Sequence, residues 1–189
     1  MMKKKLTITI CLILLGLALY AKGQGGVYMS AADFRNSRLT NEADCSKEGF
    51  KIHLHDFFGN TSSFTISYQG KKTKLQKSEV YGYRDCKDDV YRFYANAAYK
   101  LVEAGNIYVY TQARNVAQSK GFKVVNDYFF SIQADGAVIR LTNENLTNAC
   151  RDNQTFLDLL ANSRIEVTDY DNNRKTFLIN YLYTRSLKN

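Results

Sequence analysis

Residues 78–111, SEVYGYRDCKDDVYRFYANAAYKLVEAGNIYVYT, form the densest aromatic run in the chain and decide its fold. Two parts of this run have a period of two: Tyr81 and Tyr83 occupy alternate positions in residues 80–85, and Tyr91 and Phe93 do so in residues 90–94. A period of two is typical of β-strands, and the polar, acidic break at residues 86–89 suits a hairpin loop.

Two further strands complete this stretch, at residues 99–102 and 107–111, and the turn between them contains Gly105 and Asn106. Both turn residues tolerate a positive φ angle. Short connections between successive strands predict an antiparallel meander, because parallel neighbours need a crossover of about a dozen residues or more.

The strand pattern continues on both sides of this stretch and then changes. Further alternating runs cover residues 50–55, 64–68, 71–76, 122–133 and 137–141, with a polar loop expected at 116–121. After residue 141 the apolar spacing becomes helical, and the helix N-caps are expected at Thr142, at Asp152 or Asn153, and at Asp171. We predict an α+β fold that is mainly β: an antiparallel β-meander of about nine strands, as a curved sheet or open barrel, followed by two or three C-terminal helices.

Residues 1–23 have the three parts of a secretory signal peptide. Residues 3–5 are lysines, residues 6–20 form an uncharged apolar core, and Ala21 and Gly23 supply small side chains for cleavage. The apolar core of fifteen residues is shorter than the roughly 20 residues that a membrane-spanning helix needs. We expect a mature chain that begins at Lys22 or Gln24, a periplasmic, cell-surface or secreted location, and no stable membrane span after cleavage.

The mature chain is expected to have two parts. Residues 24–141 form an antiparallel β domain with an N-terminal arm, in which Ser30 and Asp33 match a capping box. Residues 142–189 form a helical segment packed on it.

Loss of residues 1–23 lowers the lysine and arginine count from 26 to 22 against 18 acidic residues, so the net charge falls from +8 to about +4. That modest charge argues against a nucleic-acid partner.

Several motifs resemble an uncharacterised group of small exported, β-rich proteins of Bacteroidota. The resemblance rests on GYRDC…YRFY at residues 82–94, on FKIHLHDFF at 50–58 and on SYQGKKTKL at 67–75. It is strongest over residues 27–111. The resemblance implies export and a β-rich body, and it carries no catalytic residues to transfer.

Three cysteines remain after cleavage: Cys45, Cys86 and Cys150. Disulfides persist in exported proteins, and an odd number of cysteines leaves one thiol over. Cys45 and Cys86 both lie beside polar turns of the β-rich part, which favours a Cys45–Cys86 bond over a bond from either to Cys150. No pair has the CxxC spacing of zinc or thioredoxin-like sites.

The clearest binding candidates are tyrosines and arginines on neighbouring strands. Tyrosine combines an apolar ring with a polar tip, which suits contacts with saccharide or protein surfaces. The other interpretation is a core whose tyrosine hydroxyls reach the edge. The candidate residues are Tyr81, Tyr83, Arg84, Tyr91, Arg92, Tyr94, Tyr108 and Tyr110.

Candidates for chemistry are few. His53 and His55 share a strand face and could chelate a metal with Asp56 as a third ligand, but a solvent-facing pair is the simpler interpretation. No GxSxG nucleophile motif and no glycine-rich phosphate loop occur. We therefore predict no catalytic residue, no metal site and no cofactor.

Together these features favour an exported, non-enzymatic β-rich protein that binds a partner, such as an envelope protein or saccharide, or contributes to the cell envelope. The alternative is an exported hydrolase whose site is assembled from scattered residues.

Overall fold

The computed structural model of the protein describes residues 23–46, 49–56 and 59–188. Within these ranges the chain forms thirteen β-strands and four α-helices. With 43% strand and 21% helix, the fold is mainly β with helices near the C-terminus, as the sequence predicts. Residues 1–22 of the predicted signal peptide lie outside the described residues.

One large antiparallel sheet organises the molecule. Its strands, numbered in chain order, are β1 (Gln24–Tyr28), β2 (Thr40–Asp44), β6 (Gly82–Arg84), β7 (Val90–Tyr94), β8 (Ala97–Ala104), β9 (Tyr108–Gln118), β10 (Gly121–Ser131) and β11 (Ile139–Arg140). The strand order is β11-β10-β9-β8-β7-β6-β1-β2. From β6 to β11, neighbours in the chain are neighbours in the sheet, which confirms the predicted meander. The sheet is open, with β11 and β2 at its edges.

Residues 24–28, at the start of the expected N-terminal arm, form a strand of this sheet. β1 pairs with both β2 and β6, and Val27 and Tyr28 are fully buried. From the sequence, the glycines of β1 suggest a flexible segment. In the structure they permit close packing, because a Cβ on Gly25 would lie 2.4 Å from the ring of Phe50. β2, in a segment whose polar sequence suggests a loop, is a strand because β1 pairs with it.

A smaller sheet packs on one face of the large one. It contains β3 (Lys51–His53), β4 (Ser63–Tyr68) and β5 (Lys71–Gln76), in the order β3-β4-β5. Phe64 and Ile66 of β4 form a buried core with Val27, Tyr83 and Phe93 of the large sheet. The rings of Phe64 and Phe93 are 4.8 Å apart.

A buried ion pair ties the small sheet to the large one. The Lys77 ammonium, in a short 3-10 helix after β5, lies 2.8 and 2.9 Å from the two carboxylate oxygens of Asp56. It also donates to the Asn96 carbonyl in the β7–β8 turn, at 2.9 Å. The Lys77 side chain is 0% exposed and that of Asp56 is 24% exposed. Lys77 therefore has a structural role, unlike the exposed lysines of β5.

Four helices and a short hairpin complete the fold: α1 (Ala31–Arg35), α2 (Asn143–Ala149), α3 (Gln154–Asn162) and α4 (Leu178–Ser186), with β12 (Tyr170–Asp171) paired to β13 (Thr176–Phe177). Thr142 and Asn153 cap α2 and α3, as predicted. The predicted helix cap at Asp171 is wrong. Its carboxylate instead accepts from the backbone N–H groups of Asn173 and Arg174 in the β12–β13 turn, at 2.9 and 3.0 Å.

The helical segment packs on the same face of the large sheet as the small sheet does. Val109 and Phe130 of the large sheet share a buried core with side chains of the helices and the hairpin. Asn180 of α4 fastens this layer, because its amide accepts from the Ile107 N–H and donates to the Ile107 carbonyl, both at 2.8 Å.

The predicted disulfide between Cys45 and Cys86 is confirmed, with Cα atoms 5.4 Å apart. Cys45 follows β2 and Cys86 follows β6, so the bond spans the intervening strand β1. Cys150, at the end of α2, is the free thiol predicted, and it is buried in the helix–sheet core.

Burial makes the Cys150 thiol inert. It raises the pKa of that thiol to about 11, so at pH 8 only about one part in a thousand is thiolate, the reactive form. We expect iodoacetamide to alkylate Cys150 at least about 100-fold more slowly than it alkylates a small thiol. In urea the rate should become that of an ordinary cysteine. Rapid alkylation of the folded protein at pH 8, measured by mass spectrometry, would contradict this burial.

Candidate functional site

The predicted aromatic positions separate onto two faces of the large sheet. Tyr83 and Tyr91 point toward the small sheet and stack on each other, with ring centroids 4.7 Å apart. Tyr81 was expected on the same face as Tyr83, but its ring contacts Arg92 and Phe34 on the opposite face. Tyr81 lies just outside β6, which begins at Gly82, and its N–H donates to the Tyr28 carbonyl at 2.9 Å. Its side chain therefore does not follow the alternation of that strand.

Arg92 is the centre of the second group. Its guanidinium donates to the Tyr110 hydroxyl at 3.3 Å, to the Ser131 hydroxyl at 3.2 Å and to the Gly136 carbonyl at 2.6 Å. It also lies within 5.3–5.9 Å of three tyrosine ring centroids, those of Tyr81, Tyr94 and Tyr110. In the described part of the chain no carboxylate forms an ion pair with it.

Helix α1 covers one side of this group. The Phe34 ring stacks on Tyr81 and meets Tyr108 edge-on, with centroids 5.2 and 6.2 Å apart. Arg84 lies on the same face, over the ring of Tyr28 at 5.9 Å. Six of the eight predicted residues therefore gather on this face: Tyr81, Arg84, Arg92, Tyr94, Tyr108 and Tyr110.

Burial gives these residues a largely structural role. Arg92 is 4% exposed and Tyr110 is 0% exposed, whereas Tyr94 is 37% exposed. Burial raises the pKa values of Tyr81 and Tyr83 well above the usual range, so their hydroxyls stay protonated. Arg92 and Tyr110 thus belong to a buried core, whereas Tyr94 lies at its exposed edge.

Both histidines are exposed: His53 ends the edge strand β3, and His55 follows it. The His55 Nε2 atom is 3.0 Å from the Thr65 hydroxyl, and the rings of His53 and His55 are 6.3 Å apart. Asp56, the proposed third metal ligand, is held by Lys77. Over the described ranges, no group of three or more histidine, cysteine, aspartate or glutamate residues is placed to hold a metal ion.

A cleft of about 310 Å³ opens where β9 separates from β8. Ladder pairing between these strands stops at Lys100 and Thr111. Lys100 is paired with Asp89 at 2.7 Å, and that hydrogen bond raises the pKa of the Lys100 ammonium. Leu54 and Asp56, in the connection between β3 and β4, also line the cleft.

Beyond this cleft, β9 and β10 continue as a two-stranded ribbon, defined here as residues 112–127. β11 pairs with β10 only at Phe129 and Phe130. The ribbon strands pair with each other along their whole length up to the turn at Ser119 and Lys120. In the described ranges no third strand pairs with the ribbon on either side.

One face of the ribbon is uncharged and exposed. Phe122 is 77% exposed, the highest value among the large apolar side chains described, and Val124 is 63% exposed. These two side chains lie directly opposite Ala117 and Asn115. Because side chains alternate along a strand, the members of this face are Ala113, Asn115, Ala117, Phe122, Val124 and Asn126.

The sequence pattern does not predict this ribbon. It predicts a loop at residues 116–121, whereas both strands run on without interruption up to the turn. The available signal is the turn Ser119-Lys120-Gly121, with Val116 shortly before it and Val124 and Val125 shortly after it. Polar residues on both sides of the turn concealed it.

Comparisons with protein-family models, with curated proteins and with solved structures find no match to this chain. None of the helices among the described residues is long and apolar enough to cross a membrane. Function is therefore inferred from this chain's own geometry.

Proposed function

We propose that this protein is an exported, non-enzymatic binding domain whose partner, a protein of the cell envelope, docks on the exposed face of the β9–β10 ribbon. The main observation in support is the exposure of Phe122 and Val124 on a ribbon that has no covering layer among the described residues. Exposed apolar side chains that cluster on one surface are typical of interaction sites.

A bound partner would also stabilise the ribbon. A two-stranded hairpin by itself is marginally stable in water, because it buries little apolar area. On the other ribbon face, Val116 and Val125 are only partly buried. A docked partner would cover the Phe122 face and add the missing layer.

Export is supported by two independent features. Residues 1–23 have the composition of a signal peptide. The Cys45–Cys86 bond is compatible with an oxidising compartment outside the cytoplasm.

A binding role is favoured over the hydrolase alternative by the placement of the titratable side chains. A hydrolase needs a nucleophile, a base and a group that orients the base. His55 contacts Thr65 on an exposed edge, and the nearby carboxylate of Asp56 is committed to Lys77. The Cys150 thiol is buried and protonated.

Photo-crosslinking in the native host tests the proposed docking face. With p-benzoylphenylalanine at position 122, we expect one discrete adduct with an envelope protein, identified by mass spectrometry. A matched probe at position 72, on the exposed edge strand β5, should give at least fivefold less of that adduct. Adding Val124→Ser to the position 122 probe should remove most of it, since both side chains contribute apolar contact.

Equal adduct yields from positions 122 and 72, or a yield unaffected by Val124→Ser, would contradict docking on this face. Recovery of the full-length precursor from the cytoplasm alone would contradict export.

A further inference from the structure

The outer edge of β10 has unpaired backbone groups beside its exposed side chains. The Tyr128 carbonyl accepts from the Leu141 N–H at 2.9 Å, so the backbone groups of Tyr128 point toward the β11 side. Residues two apart in a strand point their backbone groups to the same side. Phe122, Val124 and Asn126 therefore present theirs along this same edge, where the described chain places no strand.

This edge lacks the protection that another edge of the molecule has. Strand β5 ends the small sheet and carries exposed Lys71, Lys72 and Lys74. Lysines of this kind prevent unwanted strand pairing. The β10 edge has a single lysine, Lys123, between two of the most exposed apolar side chains, and the chain contains no proline.

Charge distinguishes between possible occupants of the edge. The ribbon contains three basic residues, Arg114, Lys120 and Lys123, and one acidic residue, Asp127. Asp127 is already bonded to Arg114 and Arg140, at 2.5 and 3.0 Å. A second copy of the ribbon would bring like charges together, whereas an acidic partner would neutralise Lys123.

The position of the apolar side chains favours a strand over a lipid surface. The tip of the ribbon, Ser119-Lys120-Gly121, is polar, and the exposed apolar side chains lie along the flank. An inserting loop would carry its apolar residues at the tip. A flank with free backbone groups matches the addition of a strand.

We infer that the β10 edge binds an extended segment of an acidic partner protein, which adds to the large sheet as a strand in line with β11. This inference rests on the proposed function and names the chemistry of the partner. The partner's apolar side chains lie beside Phe122 and Val124. Its acidic side chains lie on the opposite face of the sheet, beside Lys123, so its sequence alternates between the two types.

Two end-blocked octapeptides test this chemistry on the full mature protein. In one, valine alternates with glutamate; in the other, valine alternates with lysine. We expect the glutamate peptide to bind at least tenfold more tightly, by fluorescence anisotropy in low salt. It should shift and protect the backbone amide signals of Phe122, Val124 and Asn126.

Matched variants locate the edge. Val124→Pro removes an outward N–H donor and should weaken binding of the glutamate peptide at least tenfold. Asn115→Pro makes the same change on β9, directly opposite Val124, and should leave binding within twofold. Lys123→Glu retains the fold and should reverse the preference between the two peptides. Melting curves of all variants show whether the fold is intact.

Four outcomes would overturn the inference: equal binding of both peptides, binding of neither, loss of binding with Asn115→Pro alone, or an unchanged preference in Lys123→Glu. Concentration-dependent dimerisation that Val124→Pro abolishes would assign the edge to a second copy. Co-sedimentation with anionic phosphatidylglycerol vesicles that requires Phe122 would assign it to a membrane.

The results also distinguish failure of strand addition from failure of the proposed function. If the crosslinked partner still requires Phe122 but ignores Val124→Pro and Lys123→Glu, the docking face stands and strand addition is wrong. If neither the peptides nor the partner depends on Phe122, both proposals are wrong.

Discussion

Replacing Lys77 with methionine should lower the free energy of unfolding by about 3 kcal/mol, the lower end of the range for breaking a buried ion pair. Methionine keeps much of the side-chain volume, so the main loss is the charge. The Asp56 carboxylate and the Asn96 carbonyl would lose their shared donor at the junction of the two sheets. The partial exposure of Asp56, at 24%, limits the loss because water can solvate its carboxylate.

Urea denaturation of matched variants measures this effect. Lys74→Met, on the exposed side of β5, should change stability by less than about 0.5 kcal/mol. Adding Asp56→Asn to Lys77→Met should recover part of the loss, since no unpaired charge then remains. Equal stability of Lys77→Met and Lys74→Met would contradict the structural role of this pair.

Loss of the Cys45–Cys86 bond should have an effect of similar size. The bond closes a loop with a sequence separation of 41 residues, for which the chain-entropy model gives about 3–4 kcal/mol. In a domain of this size that corresponds to a decrease of roughly 10 °C in melting temperature. The double variant Cys45→Ala with Cys86→Ala avoids a new free thiol and is the variant to measure.

Cys150→Ala is the natural control for the disulfide. It removes one buried sulfur from the helix–sheet core, and we expect a loss of only about 1 kcal/mol. Peptide mapping of the unreduced protein should find Cys45 linked to Cys86 and Cys150 free. A linked peptide containing Cys150, or equal melting temperatures for the two variants, would contradict the assigned pairing.

Local sequence patterns are sufficient to predict features whose contacts join residues close together in the chain. The runs at residues 64–68 and 71–76 predict the β4–β5 hairpin, and the two residues between them, Gln69 and Gly70, are both at positive φ. The caps at Thr142 and Asn153 were also predicted, since each bonds to an N–H three residues ahead. Such features depend on a few neighbouring residues.

Features that depend on distant contacts were not predictable in this way. The glycines of β1 have no local strand preference, and β1 forms because β2 and β6 pair on its two sides. Asp171 has the sequence context of a helix cap, but pairing of Tyr170 with Phe177 places it in a hairpin turn. Both outcomes depend on tertiary packing, which overrides local preference.

The candidate site shows the same limit. Alternation placed Tyr108 and Tyr110 on one face, but it could not predict that Tyr81 would cross to Arg92 or that α1 would cover the group. The ribbon was missed for a different reason. Its strands project beyond their neighbours, and their sequences mix polar and apolar residues as loop sequences do.

The dissociation constant of the partner captured through position 122 tests the central claim most directly. It should be measured with the purified partner for the native protein and for Phe122→Ser combined with Val124→Ser. We predict at least about 100-fold weaker binding by the double variant, because two exposed apolar anchors are lost, with Lys72→Ser unchanged within twofold. Native affinity in a double variant whose melting temperature is unchanged would contradict a docking face on the ribbon.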